Sequence, residues 1–175
     1  MQKSKMLEIE PMATGMTFAE RYAARTEAGE VKLAVGDNTM YDKTFTPEDS
    51  SKFSKLTMNR NPLHDVDDDT AAKEAGFDGA VIHGMFTASI FSAAIGAYFP
   101  GSIAFDMNIR FSKPVYVNGT VTGIVTVKKV LDRKKLVKCT IAGVNQRDEL
   151  CVTGGVTLLV RNLQVPERPK KAKAV

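Results

Sequence analysis

A chain of 175 residues, 43% hydrophobic and 25% charged, has enough apolar mass for one packed domain with short additions. Its formal charge of +4 gathers at one end: residues 161–175 carry five basic side chains and one acidic, which leaves 19 of each sign on the rest. A neutral body excludes a fold built to grip duplex nucleic acid, and two cysteines exclude a disulfide-rich scaffold.

Residues 1–34 mix charges, hold two glycines and keep no sustained period, so they read as an N-terminal extension with a helical turn near Met16 to Arg25. The opening MQKSKMLEIEPMATG has no apolar run and carries two glutamates, which points to an intracellular, cytoplasmic protein. From Val35 the text tightens. Thr46-Pro47-Glu48-Asp49 sets a capping threonine before a proline and an acid, and Phe53 and Leu56 supply one apolar stripe, predicting a helix over 47–57. The stretch LTMNRNPLHDVDDD (56–69) breaks it, and a second short helix over 68–75 stops at Gly76.

HGMFTASIFSAAIGAYFPG (83–101) is apolar nearly all round, yet it is short for a membrane span of about 20 residues and seeded with Ser, Thr and Gly. It predicts a helix buried in the core. Beyond it the period becomes two: Ile103, Phe105, Met107, Ile109 and Phe111 alternate with smaller or polar residues, the pattern of a half-buried strand. Asn118-Gly119 signals a turn, and strands are expected at Thr120–Val130, Leu136–Val144 and Leu150–Val160, separated by LDRKK and NQRD. Cys139 and Cys151 fall in strand-like text and read as reduced core residues. The fold class is α+β: a curved antiparallel sheet wrapped around one long buried helix, spanning residues 35–160. Residues 161–175 read as a basic, disordered tail.

Two features could carry chemistry. His64, one of two histidines, follows Asn59, Asn61 and Pro62 in a turn, and Gly84 stands at the start of the central helix. A helix start offers unpaired N–H groups and the positive end of the helix dipole, and glycine there lets a ligand carbonyl approach the backbone. A proton shuttle and an oxyanion donor are therefore available; a surface histidine and an ordinary helix start are the plainer readings. The aspartates 65 and 67–69 read as solvated capping acids. Phosphate-binding glycine loops, metal-spaced His/Cys clusters and G-x-S-x-G are absent from the sequence.

FSKLTMNRNPLH, AGFDGAVIHGM, FSAAIGAYFPGS and IRFSKPVYVNGTV, in that order, resemble the MaoC-like dehydratases, the (R)-specific enoyl-CoA hydratase family, over roughly Val35 to Val160. The resemblance implies a hot-dog fold, a homodimer or dimer-based oligomer, and acyl-CoA bound near the subunit interface. The reaction it implies is reversible syn addition of water across a trans-2-enoyl-CoA, with coenzyme A arriving as part of the substrate and no metal or redox cofactor. The family's catalytic histidine falls on His64 and its oxyanion glycine on Gly84. A serine near the family's site falls on Ser92, and the catalytic aspartate falls on Asn59. An amide can orient water but cannot take its proton. Either His64 acts alone while Asn59 holds the water, or a carboxylate of the substrate, Asp65 or Asp67 substitutes, or the protein binds acyl-CoA without hydrating it. Similar LTMN-x-x-PLH segments occur in relatives that resemble dehydratases of branched, dicarboxylic acyl-CoAs, which favours an active enzyme. A catalytically silent acyl-CoA-binding or regulatory protein is the alternative, and a thioesterase a third. The link from His64 to His83 is two residues longer than the family pattern implies. No nucleic acid or membrane partner is expected.

Overall fold

The computed structural model describes residues 35–99, 101–131 and 134–160, together with the backbone of 31–32 and 163–164. The elements run β1 (Val31–Lys32), β2 (Asn38–Thr44), α1 (Pro47–Thr57), a 3₁₀ turn (Pro62–His64), α2 (Thr70–Glu74), α3 (Gly84–Tyr98), β3 (Ile103–Phe111), β4 (Thr120–Leu131), β5 (Leu136–Asn145), β6 (Leu150–Leu159) and β7 (Leu163–Gln164). Five strands form one antiparallel sheet in the order β2-β4-β5-β6-β3. β1 and β7 make a separate two-residue parallel pair that joins the end of the expected extension to the start of the expected tail. The helical turn expected near 16–25 lies outside the described residues.

β4 alternates strictly, with Val121, Gly123, Val125 and Val127 buried between half-exposed neighbours, so one face of the sheet meets the core. α3 seats on that face against β2 and β4 through Ile90, Phe91, Ala94 and Ile95. Each large buried side chain of this kind stabilises by about 1.5–3 kcal/mol. Gly123 makes the seat possible, because a Cβ there would stand 2.8 Å from Cγ1 and Cδ1 of Ile90.

Three expectations change. α3 is not buried all round: Met85, Ser89, Ser92, Ala93 and Ala97 form an exposed stripe, because the sheet covers only one side of it. β3 is exposed along nearly its whole length, with only Ile109 half-buried, because it is the sheet's edge and α3 seats on β2 and β4, reaching β3 at Phe111 beside Gly84. The turn expected at Asn118-Gly119 is present, with the N–H of Gly119 donating to Tyr116 O at 2.9 Å and Asn118 at a left-handed φ of 62°. It ends the crossover from β3, which pairs with β6 at one edge, to β4, which lies between β2 and β5. α2 is shorter than its expected 68–75, beginning after Asp69 and followed by Gly76 at φ 86°.

Candidate active site

α1 presents the site's supporting loop. Thr46 accepts the N–H of Asp49 at its start, and Met58 closes it in the left-handed region at φ 55°. Asn59 then donates its backbone N–H to Ser54 O at 3.1 Å, while its Oδ1 accepts the N–H of Asn61 at 2.9 Å. Asn61 repeats the device: its Oδ1 accepts the N–H of Leu63 at 3.1 Å and so caps the 3₁₀ turn, whose first residue is Pro62. Short polar side chains that bond their own backbone two residues on are what such turns require.

The turn delivers His64, half-buried, against the segment leading into α3. Two bonds hold it there. The N–H of Val81 donates to Leu63 O at 2.9 Å, and Nδ1 of His64 lies 2.6 Å from Val81 O. A carbonyl only accepts, so Nδ1 carries the proton and Nε2 is the unprotonated nitrogen of the neutral ring, with its lone pair available.

His83, two residues beyond Val81, is 2% exposed, and its ring stacks on that of His64 with centroids 3.8 Å apart and planes 27° apart. Its Nε2 is 3.2 Å from Oγ of Ser54 on α1, and its Nδ1 is buried without a partner. Burial first, and the neighbouring His64 second, push the His83 pKa down from 6.5 to about 4, so this ring is neutral at physiological pH.

α3 begins immediately after His83. No side chain caps it, so the N–H of Gly84 belongs to the unpaired first turn. Phe111, at the end of β3, lies against Gly84: a Cβ on the glycine would meet three ring carbons at 3.1–3.3 Å. An imidazole nitrogen with a free lone pair, a helix N-terminus and the end of an exposed edge strand are thus brought into one region.

The remaining expected residues are placed as follows. Asn59 is exposed, with its Oδ1 committed to the loop and, among the described residues, no group accepting from its Nδ2. Ser92 stands on the exposed stripe of α3, eight residues or about 12 Å beyond Gly84. Asp65 accepts the N–H groups of Asp67 and Asp68 at 3.0 and 3.3 Å. Asp67 lines a groove of about 620 Å³ with Asp69, Asp78, Tyr116 and Arg147, to which Asn59, His64 and Gly84 do not contribute. Neither aspartate is therefore placed as a substitute base. Sequence reasoning named His83 only as a helix start and missed Ser54 and Phe111. The available signal was that a chain with two histidines places both within 20 residues, flanking the helix entry.

The MaoC-like domain family matches residues 33–148. A mitochondrial 3-hydroxyacyl-[acyl-carrier-protein] dehydratase of Arabidopsis thaliana is 30% identical over 144 residues, covering 81% of this chain and 86% of its own. An (R)-specific enoyl-CoA hydratase of Aeromonas caviae is 35% identical over 124 residues, covering 70% of this chain and 91% of its own. Among solved structures, an (R)-hydratase from A. caviae involved in PHA biosynthesis superposes with a TM-score of 0.69 at 32% identity, over 73% of this chain and 97% of that one.

Proposed function

Because this chain belongs to the MaoC-like dehydratase family of hot-dog proteins, we propose that it is a lyase that adds water to, and removes it from, a trans-2-enoyl thioester and its (R)-3-hydroxyacyl counterpart. The observation that supports the site assignment is the bond from His64 Nδ1–H to Val81 O, which leaves Nε2 unprotonated and able to act as the base.

In hydration, Nε2 of His64 takes a proton from a water whose oxygen adds to C3 of the enoyl group. Nδ2 of Asn59 donates to that water and orients it. The electron pair of the double bond moves onto the thioester oxygen, where the N–H of Gly84 and the positive end of α3 stabilise the charge. The imidazolium of His64 then returns its proton to C2 on the same face, which gives syn addition from a single acid–base group. Dehydration runs the same steps backwards. Ser92 would meet a ligand lying along the exposed stripe of α3. The chemistry uses only groups of the chain itself, with coenzyme A entering as part of the substrate.

We further propose that the working form is a homodimer. An edge strand exposing Ile103, Phe105, Met107 and Phe111 is a ready template for pairing, and the last of these lies against Gly84. Among the described residues no helix is long and apolar enough to cross a membrane. We propose a cytoplasmic location, which a fluorescent fusion tests against the mitochondrial location that the name of the Arabidopsis thaliana relative carries.

The functional test is loss of enoyl-thioester absorbance with crotonyl-CoA, longer and branched enoyl-CoAs, and the same acyl groups on acyl carrier protein. His64→Ala should lower turnover by about 10² to 10⁴ with folding retained. Activity within about tenfold of wild type removes His64 from the mechanism. Acyl-CoA binding without turnover on any of these substrates favours the silent binding protein.

A further inference from the structure

We propose that His83 is a positioning residue for this reaction: its buried ring, fixed by Ser54 on one side and a column of aromatic rings on the other, is the platform that sets the plane of His64. The proposal rests on the reading of His64 as the acid–base group.

Among the described residues the His64 ring is hydrogen-bonded through one edge, by Nδ1–H to Val81 O. A single hydrogen bond leaves an imidazole free to rock about the line of that bond, which would swing Nε2 through the space where water must sit. The face of His83, 3.8 Å away, removes that freedom. His83 is in turn held on several sides. Its backbone enters α3 and its carbonyl accepts the N–H of Thr87 at 2.9 Å. Its Nε2 meets Oγ of Ser54 at 3.2 Å. Beyond it the rings continue as Phe53 at 5.1 Å, Phe86 stacked on Phe53 at 4.8 Å, and Phe45 edge-on to Phe86 at 4.9 Å. Phe45 is fully buried, so the column runs from the catalytic ring into the core.

The choice of residue has an electrostatic side. When His64 takes its proton, the new cation lies over the face of a neutral aromatic ring, a favourable arrangement. A second cation at 3.8 Å would oppose it, and the burial that holds His83 neutral prevents that.

The test uses the full chain carrying His83→Phe, His83→Leu or Ser54→Ala, with kcat and KM for enoyl-CoA hydration, melting temperature, and nitrogen NMR of the histidine rings. The chain has two histidines, so the His64 signals are assignable in each variant. His83→Phe, which keeps a stacked ring, should lower kcat by no more than about threefold. His83→Leu should lower kcat by about 10- to 100-fold with KM within about twofold, as expected of a misoriented base. In the same variant the ring-current displacement of the His64 signals should vanish. Ser54→Ala should fall between the two. If His83→Leu does not fold, His83→Gln takes its place, since it retains a partner for Ser54 but no ring. The proposal is overturned if the folded Leu or Gln variant keeps wild-type kcat, or if Phe is as impaired as Leu. The NMR signature does not require turnover, so it tests the stacking platform even if hydratase activity is absent; unaltered His64 signals in His83→Leu overturn it on their own.

Discussion

Phe111 and Gly84 meet closely: the phenyl carbons stand 3.1–3.3 Å from where a side chain at position 84 would begin. The glycine therefore has two possible clients, the ring of the edge strand and an incoming thioester oxygen. They separate in a double variant. Gly84→Val should lower turnover by about 10² to 10³, the usual value of an oxyanion donor. Trimming the ring with Phe111→Leu in the same chain should restore melting temperature but not rate. Recovery of rate to the level of Phe111→Leu alone would show that the glycine serves only the ring.

Asn59→Asp should preserve the loop, because an aspartate Oδ1 accepts the N–H of Asn61 as the amide does. With crotonyl-CoA the rate should rise or hold level, since a carboxylate can take a proton from water. If the natural substrate carries its own carboxylate, two unit charges about 4 Å apart cost about 4 kcal/mol at an effective dielectric of 20, a loss of several hundredfold. Parallel assays on crotonyl-CoA and mesaconyl-CoA decide the substrate class. A gain on the first with a loss on the second identifies a dicarboxylic substrate, and a gain on both a monocarboxylic one.

Acid should weaken the fold through His83. Its pKa is about 4 in the folded chain against an ordinary 6.5, so between those values the unfolded chain binds a proton that the folded chain refuses. Stability is then complete above about pH 6.5, falls as pH drops towards 4, and loses on the order of 3 kcal/mol across that window. Urea midpoints at pH 7 and pH 4.5 should separate strongly in wild type and by visibly less in His83→Phe. Equal pH sensitivity in the two chains would show that His83 is not the group responsible.

The edge strand gives a fourth outcome. Phe105, 60% exposed beside a register shift in β3, should sit in the dimer contact. Phe105→Lys should convert a dimer to a monomer by light scattering, with the circular dichroism of the fold retained and activity reduced. A wild-type chain that is monomeric and fully active at micromolar concentration would remove the dimer from the mechanism.

Much of this was legible from periodicity. α1 announced itself by its cap and proline, and α3 by its length of apolar text. β4, β5 and β6 announced themselves as strand-like runs between polar turns, ending within a residue of where they were expected. β2 was not, because NTMYDKT is polar and only its first two residues are buried. The exposure of β3 was not, because alternation reports which residues share a face but not whether anything covers it. In the site, the turn residues Asn59, Asn61 and Pro62 and the position of His64 were readable, since local bonding dictates them. The pairing of His64 with His83 was not, since it depends on Leu63 and His64 meeting Val81 across 17 or more residues of chain. Ser54 was hidden for the same reason, 29 residues from the ring it touches.

Those two bonds at Val81 also bear on how the site responds to motion. Leu63 and His64 are tied to a residue only three positions before Gly84, so the base and the helix N-terminus travel as one jaw. The opposing jaw is the β3 edge with Phe111. On the proposed mechanism, breathing between the jaws would change how easily an acyl chain enters more than it would change the spacing of His64 and Gly84. Warming or mild denaturant should therefore alter substrate capture, read in kcat/KM, well before it alters the committed chemical step.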